Sequence, residues 1–333
     1  MRALTALVLL LVMVPLLPAA EPERAAFRQA VAKALPLLQK SMAVSIEKRE
    51  CFMCHHQALP ALGVVTARRH GFTIDDKGLA AQFEHANKFA TKNIELYRQG
   101  KGTGGQVSTA GYLLWTLELG ETQPGAVTEA VVEYLLVKDK QLDHYRMSAR
   151  RPPSEASPFT NDYLALRGLQ RFGSKEQQER IQQRIEQVKG WLLKTPATDT
   201  EERVFRLWAL RIAGADDKAI EQARDELLKT QRDDGGFSQT DKLESDAYAT
   251  GSALVALHEA GGLDTGSPAY QRGLQFLVKS QQDDGSWYVK SRSRPFQTYF
   301  ESGFPHEKDQ FISITASGWA VAALALAEPV KQR

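Results

Sequence analysis

The sequence predicts an all-α protein in which about six helical hairpins form a single ring. Three observations favour this architecture. Helix-forming residues dominate while alternating β-type patterns are scarce, helices apolar on every side alternate with amphipathic ones, and one segment recurs after 50 residues. A helix that is apolar all round is buried, whereas an amphipathic helix covers a buried one. A repeat of this length is typical of helical arrays.

The chain begins with the pattern of an export signal. Arg2 supplies a positive charge, Ala3 to Leu17 form an apolar run, and small residues ending at Ala20 precede a polar segment. The run is too short for a typical membrane span. We expect cleavage near Ala20, a single domain over residues 21–333, and a periplasmic or secreted location. We expect no integral membrane span in the mature chain.

The charge balance argues against nucleic acid as a partner. The chain has 42 Lys and Arg residues against 40 Asp and Glu residues, a formal net charge of +2. Proteins that bind nucleic acid rely on a basic surface that neutralises phosphates. A nearly neutral chain offers no such general attraction.

The recurring segment is the main evidence for the architecture. Ile220 to Phe237 reads IEQARDELLKTQRDDGGF, and Tyr270 to Trp287 reads YQRGLQFLVKSQQDDGSW. Each is an amphipathic helix that Asp-Asp-Gly ends with a turn, after which an aromatic residue can fold back. Five apolar helices end near a glycine, and Ser317 to Ala327 is the sixth apolar helix. These glycines are Gly71, Gly120, Gly173, Gly214 and Gly261. Neither terminal unit has a polar capping repeat, which favours a closed ring.

These Gln-x-Asp-Asp-Gly-(Gly/Ser)-(Phe/Trp) segments resemble the QW repeats of squalene–hopene cyclases and the related repeats of prenyltransferase β subunits. The resemblance is clear from about Ala219 to Ala327. It implies a terpenoid cyclase-like α/α toroid whose inner helices line a central cavity. The acidic Asp-x-Asp-Asp motif of the cyclases is missing from the sequence, and the zinc ligands of the prenyltransferases cannot be matched. The resemblance therefore implies a fold and leaves the activity open.

A Cys-x-x-Cys-His motif lies in the first hairpin. It comprises Cys51, Cys54 and His55, and the chain has no other cysteine. In an exported protein this motif predicts covalent haem c, in which both thiols form thioethers and His55 ligates the iron. Two alternatives stay open, a Cys51–Cys54 disulfide without a cofactor and a zinc site. His56 is expected to point away or to cap the helix that follows.

Further site residues follow from the ring geometry. In a ring of like-oriented hairpins, every segment that enters an inner helix lies on the same face, so Asp162, Asp246 and Tyr248 should lie near the cysteine motif. Segment 288–311 is longer than its counterpart in the preceding unit, and long loops on rigid scaffolds often carry function. Within it, His306 is a candidate second iron ligand or general acid. The loop is equally expected as a strap that seals the ring.

The sequence thus predicts a haem-bearing toroid that transfers electrons to a redox partner protein or performs redox chemistry on a small ligand. One alternative is a terpenoid cyclase or isomerase for an apolar substrate, with Asp162 or Asp246 as an acid whose pKa burial raises. Another is a non-catalytic binding module. An aromatic lining of the inner helices could stabilise carbocations, but we expect it to fill the core.

Overall fold

The computed structural model describes residues 21–147, 149–294 and 298–330, which form an all-helical α/α toroid. The export-signal prediction lies outside these residues. In chain order the helices are α1 (Glu21–Lys48), α2 (Leu59–Arg69), α3 (Asp76–Lys92), α4 (Ile94–Arg98), α5 (Gln106–Leu119), α6 (Ala126–Val137), α7 (Pro158–Phe172), α8 (Gln178–Lys194), α9 (Thr200–Ile212), α10 (Asp217–Leu228), α11 (Ala247–Glu259), α12 (Pro268–Ser280) and α13 (Gln310–Leu326).

Six of these helices form the inner wall of the ring. In order they are α2, α5, α7, α9, α11 and α13; each packs against the next, and α13 packs against α2. The main outer helices are α1, α3, α6, α8, α10 and α12. Each inner helix is buried over most of its length because it contacts neighbours on several sides. The predicted ring of six hairpins is confirmed.

The glutamine of each repeat explains how the ring closes. The Gln231 side-chain amide donates to the carbonyl of Gly235 at 2.9 Å and to that of Ala269, in α12, at 2.7 Å. The Gln281 amide donates to the carbonyl of Gly285 at 3.0 Å and to that of Ala30, in α1, at 2.8 Å. Helix α1 therefore takes the place that the next outer helix would occupy, and the same contact joins the two ends of the chain.

The repeat aromatics fold back as predicted. Phe237 and Trp287 are fully buried, and the Trp287 indole donates to the carbonyl of Leu277 at 2.7 Å. Gly285 in the intervening turn has φ +91°, and a Cβ there would lie 2.6 Å from the carbonyl oxygen of Lys33. This turn therefore requires glycine both for its backbone conformation and for the close approach of α1.

All five predicted glycines lie within two residues of the end of an inner helix, but only two of them adopt the left-handed conformation. Gly71 and Gly214 have the left-handed conformation, with φ +85° and +67°. Gly120 and Gly173 have negative φ values, and Gly262 takes the left-handed position after α11 in place of its neighbour. The chain leaves the inner helices by more than one kind of turn.

The ring axis is occupied by tryptophan side chains. Trp115, Trp208 and Trp319 come from alternate inner helices, α5, α9 and α13, so their indoles can meet only near the axis. Their ring centroids lie 5.6 to 6.3 Å apart, and Tyr163 stacks on Trp208 at 4.8 Å. As expected, these aromatics fill the core, where the family resemblance implied a central cavity.

Helix α13 has the composition of a membrane span but the position of a core helix. The segment Glu307–Leu326 is long and apolar enough to cross a membrane, yet 89% of its most apolar window is buried inside the ring. Its apolar surface is therefore already covered by its helical neighbours, chiefly α2 and α11.

Candidate functional site

The cysteine motif forms an irregular turn at the entrance to α2. Residues Cys54–Ala58 form a π-helical turn, in which the amide of Leu59 donates to the carbonyl of Cys54. The amide of Met53 donates to the Gln57 side chain at 2.8 Å. Turns of this type are rare and often occur at functional sites. Cys51 is exposed at the edge of the turn, whereas Cys54 is buried.

A cleft of about 480 Å³ opens beside both cysteines and His55. Its remaining lining has an apolar part, a glycine-rich backbone segment and a polar part. These are Phe52, Phe89 and Leu96; residues 102–105; and Thr109, Arg151 and Glu155. Arg151 and Glu155 form an ion pair, so the polar part of the lining holds both signs of charge. The cleft thus offers both apolar and charged lining groups.

Burial keeps the Cys54 thiol neutral. Its pKa is raised well above 9.0, chiefly by burial and further by the carboxylate of Glu155, while Arg151 opposes the shift. A zinc-bound cysteine must be a thiolate, whereas a thioether has no charge. Among the described residues, no group of three or more His, Cys, Asp or Glu side chains is placed to hold a metal ion.

The two histidines of the motif are packed against each other and against aromatic rings. The His55 and His56 ring centroids lie 4.9 Å apart, and Phe311 contacts them edge-on at 5.2 and 5.4 Å. The pKa of His55 is lowered to about 3, first by burial and then by the charge of Arg151. His55 is therefore neutral near pH 7, which is the form that binds metals.

His56 differs from the sequence-based expectation. It is fully buried, so it neither points away from the protein nor caps the helix, and burial lowers its pKa. Within the described part of the chain, neither ring nitrogen has a hydrogen-bond partner, and Phe300 lies 5.7 Å from the ring. An unpaired buried polar atom costs about 1–3 kcal/mol. Its environment could not be read from the motif because Phe300 lies far away in the chain.

Segments 288–294 and 298–309 lie at the mouth of the ring, and we call them together the strap. At one end, Arg292 donates to the Gln239 side chain at 2.7 Å, beside the entrance to α11. Further along, Arg49 of the segment after α1 donates to the carbonyl of Thr298 at 2.9 Å, and its guanidinium lies 4.6 Å from the Phe300 ring centroid. The strap thus connects the entrance of α11 with the segment after α1, and its Phe300 packs against His56.

One predicted site residue, Tyr248, lies beside a carboxyl group that the sequence did not reveal. The Tyr248 hydroxyl donates to Glu201 at 3.0 Å, and Thr160 donates to the other carboxyl oxygen at 3.0 Å. Burial, followed by the charge of Asp199, raises the pKa of Glu201 to about 8. From its sequence position, Glu201 is simply an acidic residue in the first turn of α9, where such residues are common.

Asp246 has a capping role in the same region. It begins α11 by accepting a hydrogen bond from the amide of Ala249 at 2.9 Å, and the Gln239 side chain donates to it at 3.0 Å. Burial raises its pKa to about 6. Through Gln239, Asp246 is connected to Arg292 of the strap. These contacts place Asp246 beside the strap, and none of them involves the cysteine motif.

Asp162 has a different set of neighbours. One of its carboxyl oxygens accepts a hydrogen bond from the amide of Tyr145 at 2.7 Å, and the other has no hydrogen-bond partner among the described residues. Burial raises its pKa well above 3.8, while Arg184 of α8 opposes the shift. These contacts tie Asp162 to the segment before α7 and to the outer layer, and none of them involves the cysteine motif.

His306 is joined to a repeat turn. Its Nε2 lies 2.9 Å from the hydroxyl of Ser286, and its ring centroid lies 5.1 Å from that of Tyr288. Burial lowers its pKa, while Asp284 and Asp309 oppose the shift. In the described part of the chain, the contacts of His306 are with Ser286, Tyr288 and Phe304, and none of them joins it to His55.

Comparison with known proteins gives consistent matches. The family model of the squalene-hopene cyclase C-terminal domain matches residues 168–333. The squalene–hopene cyclase of Bradyrhizobium diazoefficiens is 34% identical over 112 residues, which are 30% of this chain and 16% of that protein. This chain therefore matches only a small part of the length of that relative.

Solved structures extend the similarity to nearly the whole fold. A variant of the type II terpene cyclase MstE from Scytonema, in complex with its product merosterolic acid A, has a TM-score of 0.54 at 13% identity, covering 92% of this chain and 98% of that chain. A protein from Actinoplanes has a TM-score of 0.56 at 13% identity, covering 92% and 99%. At this level of identity the likeness concerns the fold.

Proposed function

Because the chain belongs to the squalene-cyclase-like α/α-toroid superfamily, we propose that it uses this fold as an exported carrier of one covalent haem c at Cys51, Cys54 and His55. The observation that carries the proposal is the cleft that both cysteines and a neutral imidazole line together. The function would be electron transfer with a partner protein, or redox chemistry on a small ligand.

The residues around the cleft suit a haem group. Thioethers at Cys51 and Cys54 would be neutral, in keeping with the buried position of Cys54. Phe52, Phe89 and Leu96 provide an apolar wall for a macrocycle, as haem sites require. Arg151 is the cationic group suited to a haem carboxylate.

Each residue of the motif has a distinct task in this proposal. Cys51 and Cys54 hold the group in place, and His55 presents a neutral nitrogen to the iron. The bound haem would supply a reversible one-electron couple whose potential depends on burial and on hydrogen bonding near the ligand. Phe300 of the strap packs against His56, and Phe311 of α13 packs against both imidazoles. These two rings would therefore form the protein side of the site.

The test is to export the full chain from cells with intact haem-maturation machinery and to measure its intact mass and visible spectrum. The wild type is expected to gain the mass of one haem and the absorption bands of haem c. Cys54→Ala should lose covalent attachment, whereas His144→Ala, which alters a histidine stacked on Trp191, should retain it. A colourless wild type without added mass would overturn the proposal.

A second candidate function rests on the carboxyl group at the mouth. With a pKa of about 8, Glu201 keeps its proton near neutral pH and could protonate an apolar substrate in a cyclase- or isomerase-like reaction. The tryptophans that meet at the ring axis occupy the position of the central cavity in which the resemblance would place such a substrate. Turnover of a polyprenyl substrate that is lost in Glu201→Gln and Asp246→Asn would support this function.

The non-catalytic alternative predicts a different chemical state of the cysteines. As a binding module, the toroid would hold a Cys51–Cys54 disulfide or a zinc ion and no haem. Thiol titration together with metal analysis of the untagged, exported protein distinguishes these states from each other. Zinc bound in equal amount to the protein would replace the haem proposal.

A further inference from the structure

We propose that Phe311 and Thr315, one turn apart on α13, are positioning residues that fix the orientation of His55. The inference rests on the proposed haem function. It concerns two side chains that lie far from the cysteines in the sequence. Neither residue belongs to the Cys-x-x-Cys-His motif. Both contact it only because the ring closes and α13 packs against the π-helical turn.

The first observation is a backbone carbonyl that its own helix leaves without an amide donor. Leu59 donates its amide to Cys54 in the π-helical turn, so it does not serve His55 as it would in an α-helix. In the π-helical pattern the carbonyl of His55 would accept from residue 60, but this residue is Pro60, which has no amide hydrogen. The hydroxyl of Thr315 lies 3.2 Å from the carbonyl oxygen of His55.

Thr315 therefore replaces a donor that the turn cannot provide. Its hydroxyl also lies 2.8 Å from the carbonyl oxygen of Phe311, one turn earlier in α13. A hydroxyl has one hydrogen to donate, so the two carbonyls share it. This shared contact fixes the backbone of His55 relative to α13, and thereby the position from which its ring extends.

The second observation concerns the imidazole rings. Phe311 meets His55 at an interplanar angle of 85° and His56 at 75°, which are edge-on contacts with both rings. Edge-on packing of this kind favours one ring orientation over others. Phe311 and Thr315 lie on the same face of α13, since residues four apart are neighbours on a helix. One helix face thus holds both the backbone and the ring of His55.

In this proposal the cysteines and α13 have different roles at the site. The cysteines would attach the group, whereas α13 determines how His55 meets the iron. Outer partners of metal ligands commonly change metal affinity by about 10–100-fold when they are removed. Loss of the Thr315 hydroxyl should therefore weaken the bond between His55 and iron without removing the haem from the protein.

The experiment uses the full exported chain and the variants Thr315→Val, Thr315→Ser and Phe311→Leu. Added imidazole competes with His55 for the iron, and the visible spectrum reports the exchange. Thr315→Val should be half-displaced at an imidazole concentration about 10-fold lower than the wild type. Thr315→Ser keeps a hydroxyl and should restore the wild-type value. Phe311→Leu should shift the competition in the same direction as Thr315→Val.

A matched control separates positioning from general destabilisation. Thr116 is buried in α5 and donates to the carbonyl of Tyr112 at 2.9 Å, so Thr116→Val removes the same kind of bond within a helix. It should leave the imidazole competition unchanged. Thermal melts show whether each variant is folded, and intact mass shows whether haem is attached.

The outcomes distinguish the two proposals. If the wild type carries no haem, the proposed function fails. If the wild type carries haem, and imidazole displaces His55 in Thr315→Val and Phe311→Leu at the same concentration as in the wild type, the positioning role is overturned. The haem proposal then stands. If Thr116→Val shifts the competition as strongly as Thr315→Val, the effect is general and the positioning role is also overturned.

Discussion

The two repeat turns and the cysteine turn occupy comparable places before inner helices, but they differ in how their polar groups are satisfied. In the repeat turns, the amides of Gln231 and Gln281 each have two acceptors, and the Trp287 indole has one. In the cysteine turn, both ring nitrogens of His56 and the side-chain amide nitrogen of Gln57 have no partner among the residues that the structure describes.

This difference distinguishes the turns that stabilise the ring from the turn that we propose as a binding site. Buried polar groups in proteins are nearly always paired, and each exception needs an explanation. The paired glutamines stabilise the contact between successive units. The unpaired atoms at the cysteine turn lie beside the residues that we propose as a haem site. Functional sites are where unsatisfied polar groups are expected in a folded protein.

The largest effect is expected in the repeat turn. Trp287→Ala removes a fully buried indole and its hydrogen bond to Leu277, and should lower the free energy of unfolding by about 3–5 kcal/mol. Chemical denaturation of the haem-free protein measures this loss. An equally large loss for His56→Ala would contradict the contrast between a structural turn and a functional one.

The carboxyl group at the mouth should make stability depend on pH. The pKa of Glu201 is raised from 4.5 to about 8, so the folded state binds a proton that the unfolded state releases. The contribution of this proton to the free energy of unfolding is fully present below about pH 4.5. It is lost as the pH rises toward 8, at up to about 1.4 kcal/mol per pH unit. Denaturation of wild type and Glu201→Gln at several pH values isolates it; parallel curves would show that Glu201 does not titrate in this range.

Ring closure can be compared with the contact between adjacent units. Gln281→Ala and Gln231→Ala each remove an amide that donates to its own turn and to another outer helix. We expect losses of about 1–3 kcal/mol that are similar in the two variants. A clearly smaller loss for Gln281→Ala, measured by denaturation, would mean that the contact with α1 contributes less than its counterpart with α12.

The smallest effect should have the opposite sign. His56→Leu replaces a buried imidazole that has two unpaired nitrogens, so the haem-free protein should become about 1 kcal/mol more stable. Thermal unfolding measures the change. The paired His258, whose Nδ1 lies 2.9 Å from the carbonyl oxygen of Leu263, is the control, and His258→Leu should destabilise. A destabilised His56→Leu variant would remove the basis of the comparison.

Most of the ring could be predicted from sequence because its signals are local. The apolar helices, the Asp-Asp-Gly turns and the aromatic that follows each turn are all encoded within short segments. Glu201 and Phe311 could not be predicted as site residues, since their neighbours Tyr248 and His55 are distant in the chain. His306 was predicted as a site residue, but it lies in the strap and contacts Ser286 of a repeat turn.

The most direct test of the account is to digest the exported protein with trypsin and to determine the mass of the peptide that spans Glu50 to Arg68. This peptide contains Cys51, Cys54 and His55 and is bounded by Arg49 and Arg68. The account predicts that it carries the mass of one haem attached through both sulfur atoms. A peptide with two free thiols, or with a Cys51–Cys54 disulfide, would contradict it.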